Sequence, residues 1–137
     1  MACGQVEKPN PKPTCDNPVG VWHNDLRSSL IIKSIDAKTG LVTGEYINGG
    51  SVTAFPLTGW VNDKKPCTGK GCDHAPVISF SVRWGEYGSI TAWVGTCSDK
   101  DGPSIKTMWN LARPNSTEPW DHILTGSDTF IPGPPPK

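Results

Sequence analysis

The stretch SITAWVGTC, residues 89–97, combines hydroxyl groups and an indole in a segment with the pattern of a β-strand. Side chains of a strand alternate between two faces, so Ser89, Thr91 and Trp93 would share one face. A core face is expected to be apolar, and a solvent face has little use for a large indole. This combination therefore predicts a face that lines a small enclosed pocket.

Segments of the same kind recur along the chain, separated by turn sequences such as DAKTG, NGGS and DKDGP. Residues 104–112 also fit a helical face, but every neighbouring segment favours a strand. Because strands do not alternate with helices, the pattern predicts an all-β, eight-stranded antiparallel up-and-down β-barrel, with a β-sandwich as the alternative. The predicted strands lie near 19–26, 29–35, 40–48, 53–61, 77–84, 89–97, 104–112 and 122–130.

The chain has 137 residues, enough for one domain with one hydrophobic core. Thirteen basic residues balance 13 acidic ones, so the charge points to neither nucleic acid nor an anionic membrane surface as a partner. No apolar run approaches the roughly 20 residues that a membrane-spanning helix needs. Both ends are rich in proline, which predicts an N-terminal tail over 1–17, a barrel domain over 18–131 and a C-terminal tail over 132–137.

Five cysteines leave one without a partner inside the chain. Cys67 and Cys72 enclose the short loop CTGKGC, which a disulfide could close. Cys15 and Cys97 then remain for a long-range bridge, and Cys3 is left over in the N-terminal tail. Two bridges favour an oxidising compartment, so we expect the mature form of a secreted protein.

The CTGKGC loop has a second interpretation. Cys67 and Cys72 are followed by Asp73 and His74, and such a cluster could suggest a zinc site. One CxxxxC pair with a single histidine is a weak zinc signal. We therefore favour the disulfide and expect no bound metal.

On most predicted strands an aromatic or aliphatic residue shares a face with one short polar group, which lies toward one strand end. Each polar group left unsatisfied in a barrel interior would cost about 1–3 kcal/mol. A ligand with matching donors and acceptors would satisfy these groups, and the tryptophans would cover its apolar body. This alternation gives the candidate pocket residues Asn24, Leu26, Ser28, Tyr46, Asn48, Trp84, Ser89, Thr91, Trp93, Trp109, Leu111 and Asp128.

Catalysis is not indicated by these residues. The sequence has no GxSxG motif, and no histidine falls on a pocket-facing position. Asp128 could take part in acid–base chemistry, but no nucleophile accompanies it. We predict a binding protein and not an enzyme. A lipocalin-like carrier of another small ligand is the alternative, although it would need a wider and more aliphatic interior.

Seven motifs, spread in order over about residues 15–131, resemble the avidin and streptavidin family of biotin-binding barrels. The motifs are GVWHNDLRS, TGEY, FPLTGW, FSVRW, SITAWVGTC, KTMWNL and WDHILTGSDTF. The resemblance implies high-affinity, non-covalent binding of biotin as the ligand, with no further cofactor. It also suggests that the protein sequesters biotin as a defence.

The resemblance further implies a role for each candidate residue. Asn24, Ser28 and Tyr46 would donate hydrogen bonds to the ureido oxygen of biotin. Asp128 and Asn48 would accept hydrogen bonds from the two ureido N–H groups. Thr91 would face the ring sulfur, and the biotin carboxylate would meet Ser89 and backbone N–H groups near Gly49 and Gly50. The apolar walls would be Trp84, Trp93, Trp109 and Leu111.

Trp120 matches a family tryptophan that crosses a subunit interface and caps the pocket of the neighbour. The resemblance therefore implies a homotetramer. Cys15 and Cys97 match positions that are bridged in the egg-white branch of the family. Two segments, INGGSVTAFPL after Tyr46 and GEYG after Trp84, are shorter than is usual in the family. Both lie where the carboxylate end of the ligand is expected.

Overall fold

The computed structural model describes residues 11–137 of the chain, and Cys3 with the first part of the N-terminal tail lies outside them. Each strand pairs antiparallel with the next along the chain, and the last strand pairs with the first, so the sheet closes into a barrel. The prediction of an eight-stranded up-and-down barrel is therefore confirmed. The strands are β1 (Gly20–His23), β2 (Ser29–Ile35), β3 (Leu41–Ile47), β4 (Ala54–Asn62), β5 (Val77–Arg83), β6 (Ile90–Ser98), β7 (Ser104–Ala112) and β8 (Ile123–Pro132).

The barrel interior follows from the alternation of side chains along each strand. On β5, Ile78, Phe80 and Val82 point inward and are buried, while the residues between them are more exposed. Residues 104–112, which also fitted a helical pattern, form β7. Trp22 is 0% exposed, and its Nε1 donates to the carbonyl of Pro18 at 2.9 Å, so it is a core residue of the barrel.

The seam between β1 and β8 is the weak point of the closure. Only the pairs Trp22–Pro132 and His23–Ile131 join the two strands, whereas β7 and β8 pair from Ile105–Phe130 to Ala112–Ile123. The first strand was predicted to run over 19–26 but ends at His23. It ends there because the next residue, Asn24, turns the chain through its side chain, as described below.

The up-and-down order divides the connections between two ends of the barrel. The segments 24–28, 48–53, 84–89 and 113–122 lie at one end, called here the pocket end. The segments 36–40, 63–76 and 99–103 lie at the other, called here the far end, together with the entry of the chain into β1. No helix in residues 11–137 has both the length and the apolar character needed to cross a bilayer.

Both predicted disulfides are present, and both lie at the far end. Cys15–Cys97 is buried and joins residues 82 positions apart. Cys67–Cys72 closes an exposed loop within the 63–76 connection, so these two thiols are bonded to each other and do not form a zinc site. Lys100 Nζ lies 3.0 Å from Asp73 Oδ1 and ties this connection to the neighbouring turn.

The described parts of the proline-rich ends contact the barrel. Pro13 is buried beside Gly20, and Cys15 is fixed by its disulfide. At the other terminus the N–H of Gly133 donates to the carbonyl of Val21 at 2.7 Å, so the strand pairing continues slightly beyond β8.

Candidate ligand-binding site

A cavity of about 230 Å³, called here the polar cavity, opens at the pocket end. Eleven of the residues predicted from the sequence line it, and one further residue, Ser127, joins them. The lining consists of Asn24, Leu26, Ser28, Tyr46, Asn48, Trp84, Thr91, Trp93, Trp109, Leu111, Ser127 and Asp128.

Asn24 occupies the turn that ends β1, and its side chain organises that turn. Its Oδ1 accepts hydrogen bonds from the backbone N–H groups of Leu26, at 3.1 Å, and Ser28, at 2.9 Å. An asparagine side chain favours such turns because it can replace a backbone acceptor. Since the amide oxygen is occupied by these two donors, the amide nitrogen of the buried Asn24 is left to donate.

Ser28 is held in a similar way. The backbone N–H of Gly49 donates to Ser28 Oγ at 3.0 Å, which uses the hydroxyl as an acceptor and leaves its proton available. Gly49 therefore holds the loop after β3 against the turn after β1. The hydroxyl of Ser28 can therefore donate its proton within the cavity, to Tyr46 or to a ligand.

Tyr46, on β3, is the third donor of this group. Burial raises the pKa of its phenol to about 12, while hydrogen bonds with Ser28 and Asn24 act in the opposite direction. The phenol is therefore protonated at neutral pH and can donate. Asn24, Ser28 and Tyr46 lie within hydrogen-bonding reach of one another, so their three donors converge on one region of the cavity.

Asp128, on β8, supplies the acceptor. Burial raises the pKa of its carboxyl, and hydrogen bonds from Trp93 and Asn24 partly offset this rise. Trp93 Nε1 donates to Asp128 Oδ2 at 3.0 Å. The hydroxyl of Thr107 donates to the backbone carbonyl of Asp128 at 3.0 Å. Trp93 thus orients the carboxyl, and Thr107 holds the backbone of β8 beside it.

Aromatic rings form the walls of the polar cavity. Trp93 lies between Phe80 and Tyr46, with ring centroids 4.9 Å from each. Trp84 Nε1 donates to Thr91 Oγ1 at 2.8 Å, so each side chain fixes the other. The indole groups are therefore held in place before any ligand enters.

Trp109 owes its position to a glycine on the neighbouring strand. It is paired in register with Gly126 of β8. A Cβ atom at Gly126 would lie 2.3 Å from Trp109 Cζ2, so any side chain there would displace the indole. Gly126 therefore contributes to the site because its missing side chain leaves space for the indole of Trp109.

A second cavity of about 350 Å³, called here the outer cavity, adjoins the polar cavity and shares Asn48, Trp84 and Leu111 with it. Ser89, the remaining hydroxyl of the strand pattern, lines the outer cavity. The other lining residues come from the loops and from β4: Ser51, Thr53, Phe55 and Tyr87.

Three predicted site residues lie away from both cavities. The N–H of Gly49 is occupied by Ser28, and Gly50 lies in the exposed part of the same loop. Trp120 is 80% exposed in the connection between β7 and β8. Leu26 does line the polar cavity, but only at its rim, because its side chain is 70% exposed.

Sequence reasoning missed Ser127, which has the opposite alternation to Asp128 on the same strand. Ser127 is exposed, and it lies on a part of β8 that has no partner in β1, because β1 ends at His23 opposite Ile131. Strand alternation alone cannot predict that Ser127 lines the cavity, because it assumes that each strand has a neighbour on both sides.

Among the described residues, no group of three or more histidine, cysteine, aspartate or glutamate side chains is placed to hold a metal ion. The polar cavity instead combines three convergent donors, a fixed carboxyl and aromatic walls. Such a site is suited to holding a small, flat, polar ring with an apolar body.

Comparison with known proteins gives the following similarities. A protein-family model described as the avidin family matches residues 12–133. The structure is similar to the crystal structure of bradavidin, with 28% sequence identity and a TM-score of 0.68 over 85% of this chain and 81% of that one. It is also similar to the crystal structure of xenavidin, with 31% identity and a TM-score of 0.64 over 82% and 94%. No curated protein matches the chain significantly.

Proposed function

The chain belongs to the avidin family, and on that premise we propose that the polar cavity binds biotin non-covalently and with high affinity. The observation that carries this proposal is the convergence of three hydrogen-bond donors. The side-chain oxygens of Asn24 and Ser28 already accept hydrogen bonds, and the phenol of Tyr46 keeps its proton at neutral pH. Asn24, Ser28 and Tyr46 can each donate to the ureido oxygen of biotin. Three donors on one carbonyl oxygen reinforce one another through polarisation.

The acceptor side of the cavity matches the rest of the ureido ring. Asp128 accepts hydrogen bonds from Trp93 and Asn24, and its two carboxylate oxygens have further lone pairs that could accept from a ureido N–H. Asn48 lines the cavity and would accept from the other N–H. The thioether ring would lie against Thr91 and the indole walls, where apolar area leaves water at about 25 cal/mol per Å².

Binding without chemistry is the function that these groups support. No histidine among the described residues lines the polar cavity, and Asp128 there accepts a hydrogen bond from Trp93 with no histidine beside it. A lipocalin-like carrier of a larger apolar molecule fits less well, because Trp22, Ile105 and Phe130 fill the remainder of the barrel.

We further propose that the protein is a homotetramer in which Trp120 caps the cavity of a neighbouring subunit. Two features support this. Trp120 is exposed at the pocket end, outside its own cavity. An uncharged row also crosses the outer face of the barrel, with Trp60, Val94 and Met108 on β4, β6 and β7 in register with two serines. Exposed apolar surface of this kind marks an association site.

Secretion and a role in sequestering biotin are part of the same proposal. The two disulfides support secretion, because disulfides persist in oxidising compartments. Tight binding without turnover would remove free biotin from the surroundings.

The direct test is a calorimetric titration of the protein with biotin, which should show one biotin per chain. Asp128→Ala should weaken binding by at least about 2 kcal/mol, the scale of a lost buried partner. Asp16→Ala, which removes an exposed carboxylate at the far end, is the matched control and should leave affinity unchanged. Absence of biotin binding by a folded protein would overturn the proposal.

The proposed assembly is tested by Trp120→Lys. This change should reduce the mass measured by light scattering and also weaken biotin binding, since one residue serves both. Trp120→Phe should largely retain both properties. A tetramer that still binds biotin tightly after Trp120→Lys would contradict the role of this residue.

A further inference from the structure

A further cavity, called here the far-end cavity, lies at the opposite end of the barrel from the polar cavity. The chain that enters β1 and the connections 36–40 and 63–76 contribute to its lining. Its volume is about 260 Å³, close to the 230 Å³ of the polar cavity, and no residue lines both. The far-end cavity can therefore hold a small molecule independently of the polar cavity.

The lining of the far-end cavity is mainly apolar. Two of its residues, Ile78 and Ile105, belong to the buried core, and Val61 is packed against that core. Val19 and Val77 line the same cavity but are 39% and 48% exposed. Apolar side chains thus extend from the core to the surface, where an apolar ligand would remove them from water.

Covalent and hydrogen bonds fix the walls of this cavity. The Cys15–Cys97 disulfide lines it and ties the segment before β1 to β6. The N–H of Cys97 donates to the carbonyl of Pro76 at 3.0 Å, and the N–H of Cys15 donates to Asp99 Oδ1 at 3.3 Å. Because a preformed site has little conformational freedom to lose on binding, a few contacts can hold a small ligand there.

The charge of the far-end cavity is negative. Its charged lining residues are Asp16 and Asp63, which are both exposed. Among the described residues, no lysine, arginine or histidine lines it, and His74, which contacts Asp63, does not reach it. Two carboxylates beside an apolar wall attract a cation and repel an anion.

A wider groove, called here the acidic groove, adjoins the far-end cavity and shares Asp16 and Asp63 with it. Asp73 and Asp99 also line the acidic groove. Lys100 is the only lysine or arginine among its described lining residues, and its Nζ lies 3.0 Å from Asp73 Oδ1. The negative charge therefore continues outward from the mouth of the cavity.

We propose that the far-end cavity is a second ligand site, which takes small molecules that combine an apolar body with a protonated amine. The apolar body lies against Ile78, Ile105 and Val61, and the amine lies at the mouth near Asp16 and Asp63. This site is separate from the one proposed for biotin, so one chain can hold both ligands at once.

The first test is an NMR titration of the full chain, isotope-labelled, with 2-phenylethylamine as the probe. The amide signals of Asn17, Ala37 and Asp63, which line the far-end cavity, should shift, whereas those of Ser28 and Asn48 in the polar cavity should not. For so small a ligand we expect a dissociation constant on the order of 1 mM. The uncharged probe 2-phenylethanol should bind about 3- to 10-fold more weakly, the scale of two exposed charge interactions, and 3-phenylpropanoate more weakly still.

A matched pair of variants tests the carboxylates. Asp16→Asn with Asp63→Asn should weaken binding of the amine by about 3- to 10-fold and leave that of the alcohol within about twofold. The control, Asp25→Asn with Glu86→Gln, removes two exposed carboxylates at the pocket end and should leave both constants within about twofold.

Several outcomes would overturn the second site. Shifts confined to the pocket end would place the amine elsewhere, and no shifts well above the expected dissociation constant would show that the cavity holds no such ligand. Equal binding of the amine and the alcohol, or equal effects of the two double variants, would remove the role of the carboxylates. None of these results bears on the binding of biotin, which calorimetry measures separately.

Discussion

The two ends of the barrel are built from the same strands but differ in the side chains that they turn inward. At the far end, the interior positions of β6, β7 and β8 are Cys97, Ile105 and Phe130, all buried and packed together. At the pocket end, the same strands present Thr91, Leu111 and Asp128 to a cavity. On each of these strands, the packed interior and the binding site are only two to six residues apart on the same face.

This difference implies a division between stability and binding. Packed apolar groups and the long-range disulfide stabilise the far end, whereas the pocket end keeps donors free for a ligand. Polar side chains in an interior contribute less to stability than packed apolar ones, because burying them removes their hydrogen bonds to water. Changes at the far end should therefore lower stability without altering the pocket, and changes at the pocket end should do the reverse.

The largest effect is expected from the two disulfides. The double change Cys15→Ser with Cys97→Ser should lower the free energy of unfolding by about 4–5 kcal/mol, because this bridge closes a long loop in the unfolded chain. The matched pair Cys67→Ser with Cys72→Ser should cost only about 2 kcal/mol, because the bridged residues are five positions apart. Urea unfolding measures both free energies. All variants should be compared at the same protein concentration, because association of subunits makes the apparent stability depend on concentration.

The division also predicts that the folded fraction of either disulfide variant binds biotin at one per chain. Calorimetry below the unfolding transition measures this stoichiometry. Equal costs for the two bridges would show that loop length does not set their contribution. A folded Cys15→Ser, Cys97→Ser variant that binds no biotin would show that the two ends are coupled.

A smaller effect is expected from Tyr46→Phe, which should weaken biotin binding and leave stability nearly unchanged. The ring would keep its packing against Trp93 and Trp84, while the pocket would lose one of its three donors. Biotin binding should weaken by about 2 kcal/mol, or about 30-fold, with the free energy of unfolding changed by less than about 1 kcal/mol. Tyr87→Phe removes the hydroxyl of the other tyrosine, which is exposed, and should change biotin binding little. A loss of stability without a loss of affinity would contradict the assignment of Tyr46 to the pocket.

Much of the barrel could be predicted from the sequence because strand alternation is a local property. The strands Ser29–Ile35 and Ser104–Ala112 have the predicted bounds, and the others differ by only a few residues at their ends. The pocket side chains on β6 and β7 follow from the same alternation. The Cys67–Cys72 disulfide was predicted from the short loop between the two cysteines, and Cys15–Cys97 was predicted as the pair then left for a long-range bridge.

The turn after β1 shows why the remainder could not be predicted in this way. Asn24 and Ser28 were assigned to the pocket as a continued strand, but a turn centred on Asn24 Oδ1 brings them there. The same turn leaves Leu26 mostly exposed, and Ser127 lines the cavity on the part of β8 that β1 does not reach. These outcomes depend on side-chain hydrogen bonds and on where one strand ends, neither of which has a periodic signal.

The smallest expected effect is at the pocket end, where Asp128 links binding to stability. Burial raises the pKa of its carboxyl, so the folded protein binds this proton more tightly than the unfolded chain, whose carboxyl titrates near 3.8. Stability therefore falls as the pH rises through the interval between these two pKa values, and the loss persists at neutral pH.

Asp128→Asn removes the charge and keeps an oxygen for Trp93, so the variant without ligand should melt at a slightly higher temperature than the unchanged protein at pH 7. The difference should shrink as the pH falls below about 4 and approach zero near pH 3, because the carboxyl of Asp128 becomes neutral first in the folded protein and then in the unfolded chain. Melting temperatures from pH 3 to 8, with Asp16→Asn as the control for loss of a surface carboxylate, measure it. A difference in melting temperature that does not vary with pH would mean that ionised Asp128 does not destabilise the ligand-free protein. The pocket end would then contain its hydrogen-bond acceptor without loss of stability.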